Sequence, residues 1–260
     1  MDLELSDRVV IISGGASNIG RRLSLAFAEE GANVWIADVD ERQAERVVAE
    51  GPSGRLQARH CDVTDEGSVR DTVQAALAAH GRIDVLVNCA GWTVDRLFME
   101  KPRAEWEKEI AIDFWGFINF TRAVLDPMIE RGYGRIVSIG SDAGRIGEWR
   151  EAVYSGTKAG VVAMSKAIAR EVGKHNITLN VVCPGFTPGT PDASGEASIW
   201  AGDQGAQFSS EVLAKIAKGY PLRRVGTPED LVGPVLLLAS DRASYVTGQT
   251  LSVSGGYTMI

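Results

Sequence analysis

Short apolar runs and longer amphipathic stretches alternate along this sequence almost to its end, and few architectures accept that order. The periodicity predicts strands at Arg8–Ile12, Asn33–Ala37, Leu56–Cys61, Ile83–Val87, Arg135–Ile139, Ile177–Val182 and Gln249–Val253. Between them it predicts helices at Ile19–Glu30, Asp40–Glu50 and Glu66–His80, a single long helix from Arg103 to Arg131, and another at Glu151–Lys174. Two more follow at Ser209–Lys218 and Pro228–Ala239. The middle strands are almost wholly apolar, as strands covered on both faces must be. Strictly alternating elements of this kind form an α/β fold, a doubly wound parallel sheet of about seven strands with helices on both faces. No repeat, low-complexity tract or linker interrupts residues 1–260, so one domain is expected.

One segment breaks the pattern. Residues 186–207 are rich in Gly, Pro, Ser, Ala and Thr, lack a period and follow directly after a strand. A loop this long in a compact domain suits a lid over a ligand, and a plain surface excursion is the alternative. With the helix after it, the segment 186–220 is expected to be a substrate-binding insertion.

Composition narrows the function classes. The 260 residues are 45% hydrophobic and 23% charged, with a net charge of −7. That balance excludes a disordered chain and gives no electrostatic footprint for nucleic acid or an anionic membrane. Cys61, Cys89 and Cys183 are odd in number and lack a C-x-x-C pairing, which predicts reduced thiols and a cytoplasmic setting. His60, His80 and His175 have no metal-ligand spacing, so no metal is expected. The acidic N-terminus lacks the basic region of a signal peptide. The apolar run Leu231–Ala239 holds Gly233 and Pro234 and is about half the length that spans a bilayer.

The first strand runs into Ser13-Gly14-Gly15-Ala16-Ser17-Asn18-Ile19-Gly20 and then a helix. Glycines there permit a tight turn and close approach of phosphates, and the helix N-terminus supplies free N–H groups and a positive dipole end. This predicts a dinucleotide cradle in a Rossmann-like sheet, with Gly14, Ser17, Asn18, Ile19 and Gly20 against the cofactor. Asp38 ends the second strand, where a carboxylate binds ribose hydroxyls and repels a 2′-phosphate, which selects NAD; a helix cap is its other use. Asp62-Val63 could meet the adenine, or Asp62 could form an Asx turn. Asn88-Cys89-Ala90-Gly91 follows the fourth strand: Ala90 and Gly91 leave room for the cofactor, and Asn88 can brace neighbouring strands.

Tyr154 and Lys158 lie four apart on one helix and share a face. A lysine cation beside a phenol favours the phenolate, and a tyrosine so tuned can exchange a proton with an alcohol or ketone. Ser141, thirteen residues before Tyr154, could hold the substrate oxygen.

In order and spacing, the glycine turn, Asp38, Asn88-Cys89-Ala90-Gly91, Ser141, Tyr154, Lys158 and Pro184-Gly185 resemble the short-chain dehydrogenase/reductase family over essentially the whole chain. The resemblance implies that Tyr154 is the catalytic acid/base and Ser141 its partner on the substrate oxygen. It implies that Lys158 holds the nicotinamide ribose and tunes Tyr154, and that Pro184, Gly185 and Thr187 line the nicotinamide end. It also implies a tetramer built on the two long helices. Three positions depart from the family pattern. Asn18 replaces a turn glycine, Asp113 stands where a catalytic asparagine is usual, and Gly189 stands where a threonine is common. They raise the alternative of a catalytically weak subunit that works with a paralogue in a hetero-oligomer.

Local stretches such as Asn88–Trp92 and Ser141–Arg145 look closest to NAD-dependent dehydrogenases of cyclic or aromatic β-hydroxyacyl-CoA thioesters. A free cyclic or aryl alcohol, or a polyol, is the alternative substrate. Trp92 and Trp149 could wall a ring or serve as core, and Arg145 could meet an anionic substrate group or simply be solvated.

Overall fold

In the computed structural model, which describes residues 2–190, 193–201 and 208–260, seven strands form one parallel sheet. In chain order they are β1 (Val9–Ser13), β2 (Asn33–Asp38), β3 (Leu56–His60), β4 (Val85–Asn88), β5 (Gly134–Ile139), β6 (Ile177–Pro184) and β7 (Thr250–Val253). Their order across the sheet is β3-β2-β1-β4-β5-β6-β7. The chain therefore reverses its winding between β1 and β4, and a crevice opens there at the carboxyl ends of the strands.

Alternate side chains of each strand feed two apolar layers. Val10 and Ile12 pack with Leu23 and Phe27 of α1 (Asn18–Glu29) and with Leu231 and Val235 near the C-terminus. Val9 and Ile11 point the other way, toward Val69, Val73, Phe120, Val124 and Met128. Both layers are covered, so β1, β4 and β5 carry no exposed residue. The edge strand β3 exposes Gln57, Arg59 and His60, which is why its sequence is more polar.

The helices keep to their expected places, with instructive ends. Asp40 accepts the Gln43 amide at 3.0 Å and caps α2 (Glu41–Glu50). Asp65 does the same for α3 (Glu66–His80), which stops at Gly81 in the left-handed conformation. The fourth strand starts two residues later than expected. Asp84, fully buried, accepts the Val9 amide at 2.8 Å and draws Arg8 and Arg131 to within 3.7 and 3.8 Å.

The long helix needs correction. It divides into α4 (Arg103–Glu109), a π-helical turn (Ile110–Trp115) and α5 (Gly116–Arg131). Such a turn inserts an extra residue and re-aims the side chains on it, and Asp113 is one of them. A short helix, α6 (Ala143–Ile146), was not legible, and α7 spans Ala152–Val172. Two helices follow, α8 (Ser210–Ala217) and α9 (Glu229–Ala239). Among the described residues no helix is long and apolar enough to cross a membrane, and no cluster of metal-ligating side chains occurs.

Candidate active site

A groove of about 1400 Å³ runs along the carboxyl ends of the strands. Its nucleotide end is shaped by missing side chains. Gly14 has φ of +65°, and a Cβ there would stand 2.6 Å from the Ala90 Cα. A Cβ on Gly20 would stand 1.9 Å from the Gly14 carbonyl oxygen, so α1 can start against the turn only with glycine at this position. Asn18 adopts φ of +45°, which asparagine tolerates, and its Nδ2 donates to the Thr187 carbonyl at 3.1 Å. The Ser17 hydroxyl accepts the Gly195 amide at 2.9 Å. Asn18 and Ser17 thus tie the nucleotide turn to the segment after β6.

Asp38 lines the groove and is not a helix cap, because Asp40 has that task. Its carboxylate accepts the Ala16 amide at 3.0 Å and the Asp40 amide at 3.0 Å. Burial pushes its carboxyl upward, while these amides pull it back. Each oxygen keeps a free lone pair for a further donor. Asp62 does form the Asx turn, accepting the amide and hydroxyl of Thr64 at 2.8 and 2.7 Å, and still lines the groove beside Val63. Glycines cleared for close approach, a helix N-terminus and a ribose-level carboxylate together fit a dinucleotide.

The catalytic end is built by α7, by the loop after β5 and by the π turn. A Cβ on Gly144 would lie 2.6 Å from the Lys158 carbonyl carbon, so α6 seats directly on α7 and brings Ser141 beside Tyr154. Lys158 is almost wholly buried; its ammonium donates to the Ile139 carbonyl at 3.2 Å and pairs with Asp113 at 3.1 Å. It lies 5.5 Å from the centre of the Tyr154 ring. Burial pushes the Tyr154 phenol above its ordinary value; Lys158 pulls it down, as expected, while Asp113 and Glu151 push it up again. Burial likewise pushes the Asp113 carboxyl up to about 6 against the pull of Lys158.

A family model described as "Enoyl-(Acyl carrier protein) reductase" matches residues 14–258. The chain belongs to the short-chain dehydrogenase/reductase family. It is 36% identical over 258 residues to the 3-oxoacyl-[acyl-carrier-protein] reductase FabG of Thermotoga maritima, covering 98% of this chain and 99% of that protein. With FabG of Escherichia coli it shares 31% over 258 residues, covering 99% and 100%. The crystal structure of gox2181 superposes with a TM-score of 0.89 at 33% identity, covering 98% of this chain and 97% of that one. The protein is thus a nicotinamide-dependent short-chain oxidoreductase acting on hydroxyl and keto groups.

Most residues singled out from sequence meet in the groove of this short-chain enzyme. They are Gly14, Ser17, Asn18, Ile19, Gly20, Asp38, Asp62, Val63, Ala90, Gly91, Trp92, Ser141, Trp149, Tyr154, Lys158, Pro184, Gly185 and Thr187. Three lie elsewhere. Asn88 is buried beneath the groove and donates to the hydroxyls of Thr121 and Ser138 at 3.2 and 3.3 Å, bracing α5 and β5. Asp113 lies behind Gly91 and Trp92, whose amide is 3.3 Å from its Oδ2. Arg145 is turned to the C-terminal segment: its Nη1 donates to the Ser252 hydroxyl at 2.5 Å. That bond is the physical reason it does not reach the substrate space.

Trp92 walls the groove with the Lys108 ammonium 4.2 Å from its ring centre, whereas Trp149 stands at the mouth, 71% exposed. Sequence reasoning missed an aromatic cluster. Phe186, Trp200 and Phe208 line the groove with ring centres 4.9–5.9 Å apart. The only signal was three aromatics in a segment otherwise rich in Gly, Pro, Ser, Ala and Thr. Residues 191–192 and 202–207 of the expected lid lie outside the described residues. Glu151 was missed as well; burial and then Asp95 push its carboxyl up to about 8.

Proposed function

We propose that this protein interconverts a β-hydroxyacyl and a β-oxoacyl thioester with NAD as the preferred cofactor. The observation that carries the reading is one groove lined together by the dinucleotide cradle, by Ser141, Tyr154 and Lys158, and by the Phe186–Trp200–Phe208 cluster. Three aromatic rings suit a cyclic, aromatic or long acyl group better than a small polyol. The relatives described as 3-oxoacyl-[acyl-carrier-protein] reductases support the β-oxoacyl thioester; whether coenzyme A or a carrier protein bears it is decided by assay. Asp38 supports NAD, since its carboxylate would repel a 2′-phosphate. The free cysteines suit a cytoplasmic enzyme, and assembly into homotetramers through α5 and α7 follows the family pattern.

When bound, the nicotinamide exchanges a hydride with the carbon bearing the substrate oxygen. The protein's own groups do the rest. The Ser141 hydroxyl holds the oxygen while charge grows on it, and the Tyr154 hydroxyl gives or takes the proton. Lys158 fixes the ribose and supplies a cation behind Tyr154. The aromatic cluster excludes water around the acyl group.

NADH titration followed by turnover with matched thioester and free-acid substrates tests this. NADH should bind, and Tyr154→Phe should remove turnover while leaving cofactor affinity nearly intact. No binding at millimolar NADH would refute the enzyme; tight binding without turnover on any thioester would favour a weak subunit.

A further inference from the structure

Lys158 faces both the Asp113 carboxylate and the Tyr154 phenol. Its ammonium lies 3.1 Å from Asp113 Oδ1 but 5.5 Å from the centre of the Tyr154 ring. Both members of the pair are at least nine-tenths buried, so water screens neither. The π turn re-aims Asp113 inward, and the Trp92 amide holds its Oδ2 from the other side. Gly91 permits this approach, since a Cβ there would stand 2.9 Å from Asp113 Oδ1.

We propose that Asp113 is a positioning residue that neutralises Lys158, weakening its pull on the Tyr154 phenol and so raising the pH at which alcohol oxidation sets in. The inference rests on Tyr154 being the proton carrier. In reduction the phenol O–H breaks, its proton goes to the substrate oxygen, and the reduced nicotinamide supplies the hydride to the carbon. Oxidation reverses each movement, with the nicotinamide as hydride acceptor, and needs the phenolate to take the alcohol proton.

Every charged or titratable group facing these atoms acts in a nameable sense. Tyr154 meets Lys158 from α7, Glu151 just before that helix, Asp113 from the π turn and the Ser141 hydroxyl from the loop after β5. Asp113 meets Glu109 from α4 as well as Lys158. Lys158 also faces the Cys89 thiol, itself within the field of Asp38. Glu151 is opposed by Asp95 and Glu148 and attracted by Lys101. Lys158 is thus the cation acting directly on Tyr154, and Asp113 is its nearest anion.

The test is the ultraviolet tyrosinate titration of Tyr154 in the cofactor-free protein, read as the difference from a Tyr154→Phe background. In the unaltered protein its midpoint should lie above the ordinary tyrosine value of about 10. In Asp113→Asn the midpoint should fall by about one unit or more. The rising limb of kcat/KM for alcohol oxidation should move the same way, while NADH affinity changes little. Asp113→Ser serves as a second neutral variant should the asparagine fail to fold, and Glu151→Gln separates the effect of that carboxyl. A midpoint well below 9 in the unaltered protein, or an unmoved midpoint and pH profile in a folded neutral variant, would overturn the proposal. Loss of turnover in Tyr154→Phe without any shift at Asp113→Asn would leave Tyr154 as proton carrier and remove only the role of Asp113.

Discussion

Replacing Lys101 with methionine probes how the wall of the groove is held. Lys101 and Glu109 form an ion pair in which neither side chain is more than 2% exposed. The Lys101 ammonium also donates to the Val94 carbonyl at 2.9 Å, and the Thr93 hydroxyl donates to the same carboxylate at 2.8 Å. The pair therefore pins residues 93–101 to the end of α4, next to the π turn. Removing one member of a buried pair leaves the other charged and unsolvated, a loss of about 3–5 kcal/mol. For a chain of this size that lowers the melting temperature by roughly 6–20 °C. Removing both charges abolishes the uncompensated ion, so Lys101→Met/Glu109→Gln should recover most of the loss. Denaturant unfolding at one fixed protein concentration measures Lys101→Met, Glu109→Gln and the double variant, since self-association would add its own stabilisation. The reasoning fails if Lys101→Met alone loses under about 1 kcal/mol, or if the double variant shows the plain sum of two large losses.

Three further outcomes follow from the groove. Gly20→Ala should destabilise the fold by about 1–3 kcal/mol and abolish NADH binding, because its Cβ would meet the Gly14 carbonyl oxygen at 1.9 Å; unchanged NADH affinity by titration would contradict the cradle. Arg145→Met should lose about 1–3 kcal/mol with KM unchanged, since Arg145 bonds Ser252 outside the groove; a raised KM at full stability would return it to the substrate. Asp38→Ser should narrow the preference for NAD over NADP by about tenfold or more, 1.4 kcal/mol, and equal use of both by the unaltered enzyme would refute the role of Asp38.

The inner strands were legible as runs rich in Val and Ile bounded by polar or glycine signals, and alternation with helices leaves a parallel sheet as the outcome. The site was legible where local chemistry suffices: the glycine turn needs backbone freedom, and Tyr154 and Lys158 share a helix face by spacing alone. The π turn was not, because a single inserted residue leaves the apolar period of Arg103–Arg131 nearly unchanged. Asp84 was readable as a lone acid in an apolar strand, but its bond to the Val9 amide spans 75 residues.

Sequence by itself therefore determined the sheet, the place of the crevice and the residues that gather at it. Tertiary structure decided their electrostatic terms. Whether Lys158 serves Tyr154 or Asp113 depends on distances across three elements, the π turn, α7 and the loop after β5. Coulomb energy in a buried site changes steeply over those few ångströms. Packing also separated look-alikes that composition treats as equals: it sent Arg145 to Ser252 and gathered Phe186, Trp200 and Phe208 into one wall. A side chain's partners are set by which elements meet, and that is a property of the folded chain.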